Sequence, residues 1–232
     1  MTLVQSKQGS VSGTTLTITL DNPTTAGNGL AVMVMTGATS TNPAVGGITL
    51  GGLADNFAKV ASKGASSPDL AIVACWLDLA CAGGQTVVAI TSTGGSGTKE
   101  IRASVYEFDN LLAASAFDTT AGTISTLSWS SGSTAVTAQA DEVFLGICFC
   151  DGASPPAITG PSSPWANLAQ QTMGTSSILS GYKVVNSIGT AAYSGTVSGA
   201  TAGMAMVVAL KLTAVPNADQ PYPDYTASMA SM

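Results

Sequence analysis

Carboxylates are the side chains most able to do chemistry in this chain, because it contains no histidine. Glu107 and Asp109 flank a phenylalanine near the end of a predicted strand, Asp141 and Glu142 begin another, and Asp151 follows a cysteine. A glycosidase needs two acids at a set separation across a cleft, and a calcium site needs several oxygen ligands in one loop. A turn or strand edge explains each of these acids, so we expect no catalytic or metal site. The alternative is that Asp141, Glu142 or Asp151 contributes to a scattered calcium site.

Serine nucleophiles are abundant, but none has the context that would activate it. No G-x-S-x-G sequence follows a predicted strand and opens a helix, as a serine hydrolase requires. The glycine-rich run at 94–97 lacks the lysine and the helix of a phosphate-binding loop and fits the tip of a hairpin. We therefore predict a protein that is not an enzyme and needs no cofactor.

Charged residues are scarce. Lys and Arg together number 7 and Asp and Glu 13 in 232 residues, whereas roughly a quarter of a typical domain is charged. Ser, Thr, Gly and Ala must cover the surface instead, and such a surface loses little solvation energy when another protein buries it. The only arginine, Arg102, and six scattered lysines form no basic patch, so we expect no nucleic-acid partner.

The sequence also predicts no membrane partner, since no apolar stretch reaches the roughly 18 residues of a spanning helix. Residues 1–7 lack the charged-then-apolar layout of a signal peptide. We expect synthesis and assembly in a cytoplasm.

The four cysteines fit buried thiols better than a disulfide or a zinc site. Cys148 and Cys150 lie two apart on a predicted strand and point to one face, a poor geometry for a bridge. Neither their spacing nor that of Cys75 and Cys81 matches a zinc site, and no histidine completes one. A long-range bridge such as Cys75 to Cys148 is the alternative.

The hydrophobic pattern predicts an all-β fold. Apolar residues recur with period two or in short blocks bounded by glycine and proline, almost never at helical spacing. The segment at 15–20 alternates cleanly, as in a half-buried strand, whereas 29–35 is apolar on both faces, as in a central strand. Many short strands joined by turns indicate an antiparallel β-sandwich.

The second half of the chain repeats the strand order of the first, which indicates two similar half-motifs. The matching segments are 140–147 with 27–34, 177–184 with 70–77, 192–197 with 85–90, and 203–210 with 101–108. Either two small sandwiches lie side by side, or half-motifs at about 15–112 and 127–212 close one core. We favour one domain over 1–213, because the stretch between the halves is too apolar for a linker.

Four segments of the first half are distinctive: GLAVMVM at 29–35, LAIVACW at 70–76, GGQTVVAI at 83–90 and VYEFDNL at 105–111. The later half repeats the last of them weakly, as VVALK at 207–211. In these segments the chain resembles a β-sandwich family of bacteriophage virion proteins and bacterial surface proteins, over about residues 15–212. The resemblance implies a jelly-roll-like sandwich that serves as a building block or a binding module, and it carries no catalytic residues.

From residue 214 the sequence leaves the repeated pattern. Prolines exclude both a helix and a central strand there, at Pro216, Pro221 and Pro223. We predict an extended C-terminal arm over 214–232 that docks on a neighbouring subunit, with Tyr222 and Tyr225 as anchors. Packing of the arm on its own domain is the alternative.

Exposed aromatic rings would point to a sugar-binding module instead. Trp129, between serines and followed by Ser-Ser-Gly, and Tyr193 are predicted to be exposed and are the candidate stacking residues. Trp76 and Trp165 lie in apolar segments and are assigned to the core.

These observations predict a non-enzymatic virion structural protein. Its expected role is a capsid decoration, cement or minor capsid protein that binds the major capsid protein or another virion protein, and itself, through subunit contacts and the arm. The alternatives are a tail or baseplate component, or a carbohydrate-binding β-sandwich module.

Overall fold

The computed structural model describes residues 3–39, 43–54, 56–65, 71–125 and 129–213. Within these residues every regular element is a β-strand, and every pair of strands is antiparallel. The predicted all-β antiparallel sandwich is therefore confirmed. In the same part of the chain, no helix is long and apolar enough to cross a membrane.

The first half of the chain folds into two facing sheets, here called the first jelly roll (residues 3–108). Its inner sheet has the order β1-β9-β3-β7-β6, with strands β1 Leu3–Ser12, β3 Gly29–Ala38, β6 Ala58–Ala65, β7 Ala71–Asp78 and β9 Lys99–Phe108. Its outer sheet has the order β2-β8-β4-β5, with strands β2 Thr15–Thr19, β4 Pro43–Leu50, β5 Leu53–Ala54 and β8 Val87–Gly94.

The pairing in this half is that of a long hairpin rolled up on itself. The first strand pairs with the last, β2 with β8, β3 with β7, and β4 with β5. Nested pairing across two sheets is the jelly-roll arrangement. The predicted jelly-roll-like architecture is thus present in the strand order itself.

The second jelly roll (residues 117–212) repeats the inner sheet, in the order β10-β16-β12-β15-β13. The strands are β10 Phe117–Ser125, β11 Trp129–Ser130, β12 Asp141–Thr159, β13 Ala166–Asn167, β14 Gln171–Met173, β15 Ser176–Asn186 and β16 Ser194–Lys211. Strand β10 takes the place of β1, β16 of β9, β12 of β3 and β15 of β7. Strands that match in sequence therefore occupy matching positions in the inner sheets of the two jelly rolls.

The outer layer of the second jelly roll is built by two long strands that bend. The pairing of β12 with β16 shifts register around Gly152 and then continues as Ala157 with Ser198. Gly199 has a φ of +79°, a conformation that L-residues with a side chain rarely adopt, and it lies at this bend. Beyond the bend, β11 pairs with the start of β16.

Three apolar cores hold these layers together. The first lies inside the first jelly roll and takes one face of β3, with Leu30, Val32 and Val34. The alternate residues of β3, Ala31 and Met33 among them, face the second jelly roll in a larger core that β12 and β16 complete. The third lies under the outer layer of the second jelly roll. Strand β3 is buried on both faces, as its sequence predicted.

The two half-motifs extend beyond the predicted limits of 15–112 and 127–212, because β1 and β10 each add an edge strand in front of them. Each half has its own core, and the two inner sheets also share one. The arrangement therefore combines features of both predicted alternatives. All four cysteines are buried and none forms a disulfide, so the expectation of buried thiols is confirmed.

Candidate functional site

The predicted arm residues Pro216, Pro221, Tyr222, Pro223 and Tyr225 lie outside the described residues. The chain is well anchored up to that point. Three backbone hydrogen bonds hold its end: Leu112 N to Lys211 O (3.0 Å), Leu212 N to Asp141 O (3.0 Å) and Thr213 N to Asn110 O (2.9 Å). These bonds fix the position of Thr213, the last residue that the structure describes, at the end of the second jelly roll.

The prediction that Trp129 and Tyr193 are exposed is wrong. Their exposed fractions are 1% and 0%, because the bend of β16 folds the outer layer of the second jelly roll over both rings. Their ring centroids lie 5.0 Å apart, and Trp165 packs on Tyr193 at 4.8 Å. Trp129 Nε1 donates to Thr196 O (3.2 Å), and Tyr193 OH donates to Asn167 Oδ1 (2.9 Å).

Neither ring therefore presents a face on which a sugar could stack, and the glycan site proposed at these two residues is not formed. The polar neighbours of Trp129 suggested a surface loop, but its short strand β11 pairs with β16 and turns the indole inwards. Trp165, assigned to the core, is only partly buried at the edge of the same cluster.

The outer layer of the second jelly roll is almost free of charge. No charged residue occurs at 119–140, 152–182 or 184–210. Lys183, between the last two of these ranges, is the exception. Its ammonium lies 5.0 Å from the Phe144 ring centroid and 5.4 Å from that of Trp165. Burial lowers the pKa of this lysine. The surface is thus a neutral one of small and hydroxyl side chains.

Two large apolar side chains stand out on this neutral surface. Val136 is 65% exposed and Ile188 is 59% exposed. They lie in adjacent segments that three backbone hydrogen bonds of 2.9 Å hold together, from Ser131, Thr134 and Thr137 to the chain at 189–193. Because these hydrogen bonds hold the two segments together, Val136 and Ile188 belong to an ordered surface.

Glu107 has a structural position. It is fully buried in the described structure, and its Oε1 accepts hydrogen bonds from Thr25 N (2.9 Å) and Asn28 Nδ2 (2.7 Å). Its Oε2 accepts one from Gln5 Nε2 (2.6 Å). Three donors hold the carboxylate and leave it no free access, so Glu107 fastens the loop before β3. Its predicted neighbour in an acid pair, Asp109, is exposed.

Glu142 and Asp118 form a close acid pair near the end of the described chain. Burial, and next the neighbouring Asp118 carboxyl, raise the pKa of Glu142 to about 7. Lys211 opposes this effect in part, and its Nζ lies 3.5 Å from Asp118 Oδ1. Asp118 Oδ2 also accepts from Ala138 N at 2.7 Å. The pair can hold a proton near neutral pH.

Asp141 and Glu142 do not share a calcium site with Asp151, because Asp151 lies ten positions further along β12 than Asp141. A strand of that length separates them by about 30 Å. Among the residues that the structure describes, no three His, Cys, Asp or Glu side chains come together as a metal site.

A row of polar contacts joins the two jelly rolls where β9 faces β15. Arg102, fully buried, donates from Nη2 to Ser176 Oγ and to Glu100 Oε2, the latter at 2.7 Å. Two positions along, Ser104 Oγ lies 2.6 Å from Ser180 Oγ. The next alternate residue, Tyr106, packs edge-on against Tyr182 with 6.1 Å between ring centroids.

A polar cleft of about 470 Å³ opens at the Arg102 end of this row. Its first wall belongs to the first jelly roll and carries Lys99 and Glu100, and its second wall belongs to the second jelly roll and carries Asp151 and Ser176. Thr175 Oγ1 donates to Asp151 Oδ1 at 2.8 Å. The cleft therefore has acidic groups on both walls and lies between the two repeats.

Sequence reasoning did not identify this cleft. The available signal was Arg102, the one arginine of the sequence, in the predicted strand at 101–108, because a buried charge needs partners. Glu100 lies on the same strand, but Met173 O and Ser176 Oγ come from residues more than 70 positions away. No family model matches the sequence, and no curated protein or solved structure is similar to it at a significant level.

Proposed function

We propose that this protein is a non-enzymatic structural component of a virion. Its favoured role is a capsid decoration, cement or minor capsid protein that stabilises the head through contacts between subunits. A tail or baseplate component is the sibling role. The observation that carries the proposal is the near-absence of charge in the outer layer of the second jelly roll, since Lys183 is the one charged residue between positions 152 and 210.

The physical support comes from the low cost of burying such a surface. Charged groups lose much solvation energy when they leave water, and charged residues are depleted at the centres of protein interfaces. Hydroxyl and small side chains lose little. Val136 and Ile188, at 65% and 59% exposed, supply apolar area on this surface. Four of the chain's few charged residues are themselves buried and are thereby removed from the surface: Asp78, Arg102, Glu107 and Glu142.

The architecture supports a building block. Two jelly rolls joined by a shared apolar core form a stiff body, since β3 is buried on both faces. Jelly rolls recur in viral capsid proteins, although they also occur in lectins and enzymes, so the fold is an analogy and not a demonstration. The charge-poor surface favours assembly among these uses.

The C-terminal arm is the second element of the proposal. It would leave from Thr213, whose N–H is tied to Asn110 O at 2.9 Å, and reach a neighbouring subunit through Pro216, Pro221, Tyr222, Pro223 and Tyr225. Aromatic anchors on an otherwise polar segment are the kind of residue that dominates binding energy in interfaces. The partner is the major capsid protein, another virion protein or a second copy.

Light scattering across a concentration series tests the proposal on four forms of the protein. These are the full chain, a 1–213 truncation, a Val136→Lys/Ile188→Lys double variant, and a Thr15→Lys/Thr17→Lys control on the exposed face of β2. We expect a defined oligomer for the full chain and the control, and a lower mass for the other two. A single monomer mass for all four forms would contradict the proposal.

Electron microscopy of the oligomer separates the sibling roles. Sheets or closed shells of repeated subunits are expected for a head protein, whereas rings or tubes would assign the protein to a tail. The Thr15→Lys/Thr17→Lys control distinguishes the loss of a specific interface from a general effect of two added lysines on solubility.

A further inference from the structure

The polar cleft between the two jelly rolls has the size and the chemistry of a ligand site. Its volume of about 470 Å³ falls within the roughly 300–1,000 Å³ of small-molecule sites. Hydroxyl side chains line it from both repeats, namely Ser12, Thr39, Thr98, Thr175 and Ser176. Its place at the junction of two units is one where binding sites commonly occur.

Hydrogen bonds hold the Glu100 carboxylate of the first wall in position. Arg102 Nη2 donates to Glu100 Oε2 at 2.7 Å, and Ser176 Oγ donates to Glu100 Oε1 at 3.3 Å. Gly37 lies against this carboxylate, where a Cβ would come within 2.9 Å of Glu100 Oε1. The acceptor is thereby fixed before any ligand arrives, which reduces the entropy that binding would cost.

The second wall carries Asp151, whose Oδ1 accepts from Thr175 Oγ1. Across the cleft, Lys99 forms no ion pair with the described residues. The charges of Lys99, Arg102, Glu100 and Asp151 sum to zero, so the cleft has no net preference for an anion or a cation. Donors and acceptors nevertheless stand on both walls.

This lining excludes several ligand classes. Two carboxylates disfavour a phosphate, and the described residues contain no set of three metal-binding side chains. The five hydroxyl residues favour a ligand that carries polar groups, and Phe149 and Met173 add apolar lining. A molecule with many neutral hydroxyl groups satisfies the lining best, because carboxylates and lysine accept from and donate to hydroxyls without a net charge to neutralise.

We infer that this cleft binds a saccharide of one or two sugar units, with Asp151 and Glu100 accepting hydrogen bonds from its hydroxyls and Lys99 donating one. The inference is independent of the assembly role, since the cleft lies between the two repeats and away from Val136 and Ile188.

Calorimetric titration of the full chain tests this inference. The panel contains neutral sugars (glucose, galactose, N-acetylglucosamine, maltose and cellobiose), one acidic sugar (glucuronic acid), and inorganic phosphate. We expect at least one sugar to bind, and Asp151→Asn to weaken it about tenfold or more, since a hydrogen bond to a charged group is lost. Asp109→Asn is the matched control, because Asp109 follows the opposite end of β9 from Glu100.

Lys99→Met supplies the second variant. Loss of glucuronic acid binding with neutral sugars retained would assign Lys99 to the acid group, and a uniform loss would assign it to a hydroxyl; both support the site. Glu100→Gln is not used, because it would leave buried Arg102 without its carboxylate.

Thermal unfolding of each variant confirms that it is folded. Absence of binding for every sugar in the panel, binding of phosphate alone, or sugar binding that Asp151→Asn and Lys99→Met leave unchanged would overturn the inference. None of these results would alter the light-scattering outcome, so the two proposals fail separately.

Discussion

Ser104 Oγ and Ser180 Oγ lie 2.6 Å apart, and the two serines belong to different jelly rolls. Ser104 Oγ also accepts from Gln8 Nε2 at 3.3 Å. Both hydroxyls are buried within a largely apolar contact between sheets, where a hydroxyl without a partner is costly. This pair therefore favours one relative placement of the two repeats over others that would bury similar apolar area.

A double-mutant cycle on Ser104→Ala and Ser180→Ala measures this contact. We expect each single variant to lower the free energy of unfolding, with a coupling energy of about 1 kcal/mol. The measurement is urea unfolding of the four proteins. Strictly additive effects would show that the two hydroxyls do not support each other.

Gly146 is expected to tolerate no side chain. It lies on β12 directly under the Tyr193 ring, and a Cβ at this position would overlap the ring. Gly146→Ala should lower the free energy of unfolding by about 1–3 kcal/mol through overpacking. Gly189→Ala is the matched control, since its Cβ would meet nothing within 4 Å. Equal stability of the two variants in urea would contradict the burial of Tyr193.

Glu107→Ala should be among the most destabilising changes to a charged residue. It removes an acceptor for Gln5, Thr25 and Asn28, and the buried Asn28 amide loses its carboxylate partner. We expect a loss of about 3 kcal/mol or more. Asp21→Asn breaks an exposed ion pair with Lys7 instead and should cost less than about 1 kcal/mol. Thermal and urea unfolding measure the stability of both variants. If Asp21→Asn lowered stability more than Glu107→Ala, the role of Glu107 in fastening the loop before β3 would be refuted.

Glu142 should make stability depend on pH. Its pKa is raised from 4.5 to about 7, so the folded state binds this proton more tightly than the unfolded state. The resulting stabilisation is complete below pH 4.5 and is lost as the pH rises towards about 7. Glu142→Gln should therefore gain stability relative to the natural protein between pH 5 and pH 8.

Urea unfolding of both proteins at several pH values checks this expectation. The difference between the two proteins is the relevant quantity, because every other ionisable group is present in both. Parallel curves across the pH range would show that the Glu142 carboxyl is ionised as in water.

The four thiols should be inert in the folded protein. All of them are buried, and burial raises the pKa of Cys75 and of Cys148, so little thiolate is present at neutral pH. A chromogenic disulfide reagent at pH 8 should find no fast-reacting thiol in the native state and four in guanidinium chloride. A thiol that reacts rapidly without denaturant would show that one of the cores opens.

Much of the architecture was determined by local sequence. Alternation at 15–20 predicted a half-buried strand, and Leu16 and Ile18 are indeed buried while Thr15, Thr17 and Thr19 are exposed. The apolar run at 29–35 predicted a strand covered on both faces, which β3 is. The repeat of strand order was visible in the sequence because half-buried and fully buried strands have different patterns of apolar residues. Each pattern depends only on consecutive residues.

Side-chain exposure within short, polar segments was decided by tertiary structure. Trp129 has serine neighbours in sequence, but a bend some 70 residues later in β16 covers it, and no local pattern contains that information. The same holds for Arg102. Glu100 is a partner from its own strand, but Ser176 meets Arg102 only when the inner sheets of the two repeats face each other.

Sequence by itself determined the all-β class, the duplicated strand order, the buried thiols and the near-absence of charge, because each depends on composition or on residues close along the chain. The stacking of the two jelly rolls, the burial of Trp129 and Tyr193, the raised pKa of Glu142 and the cleft beside Arg102 were decided only by the tertiary structure. Each of those depends on which faces of distant strands meet, and apolar faces of similar size could have met in several ways.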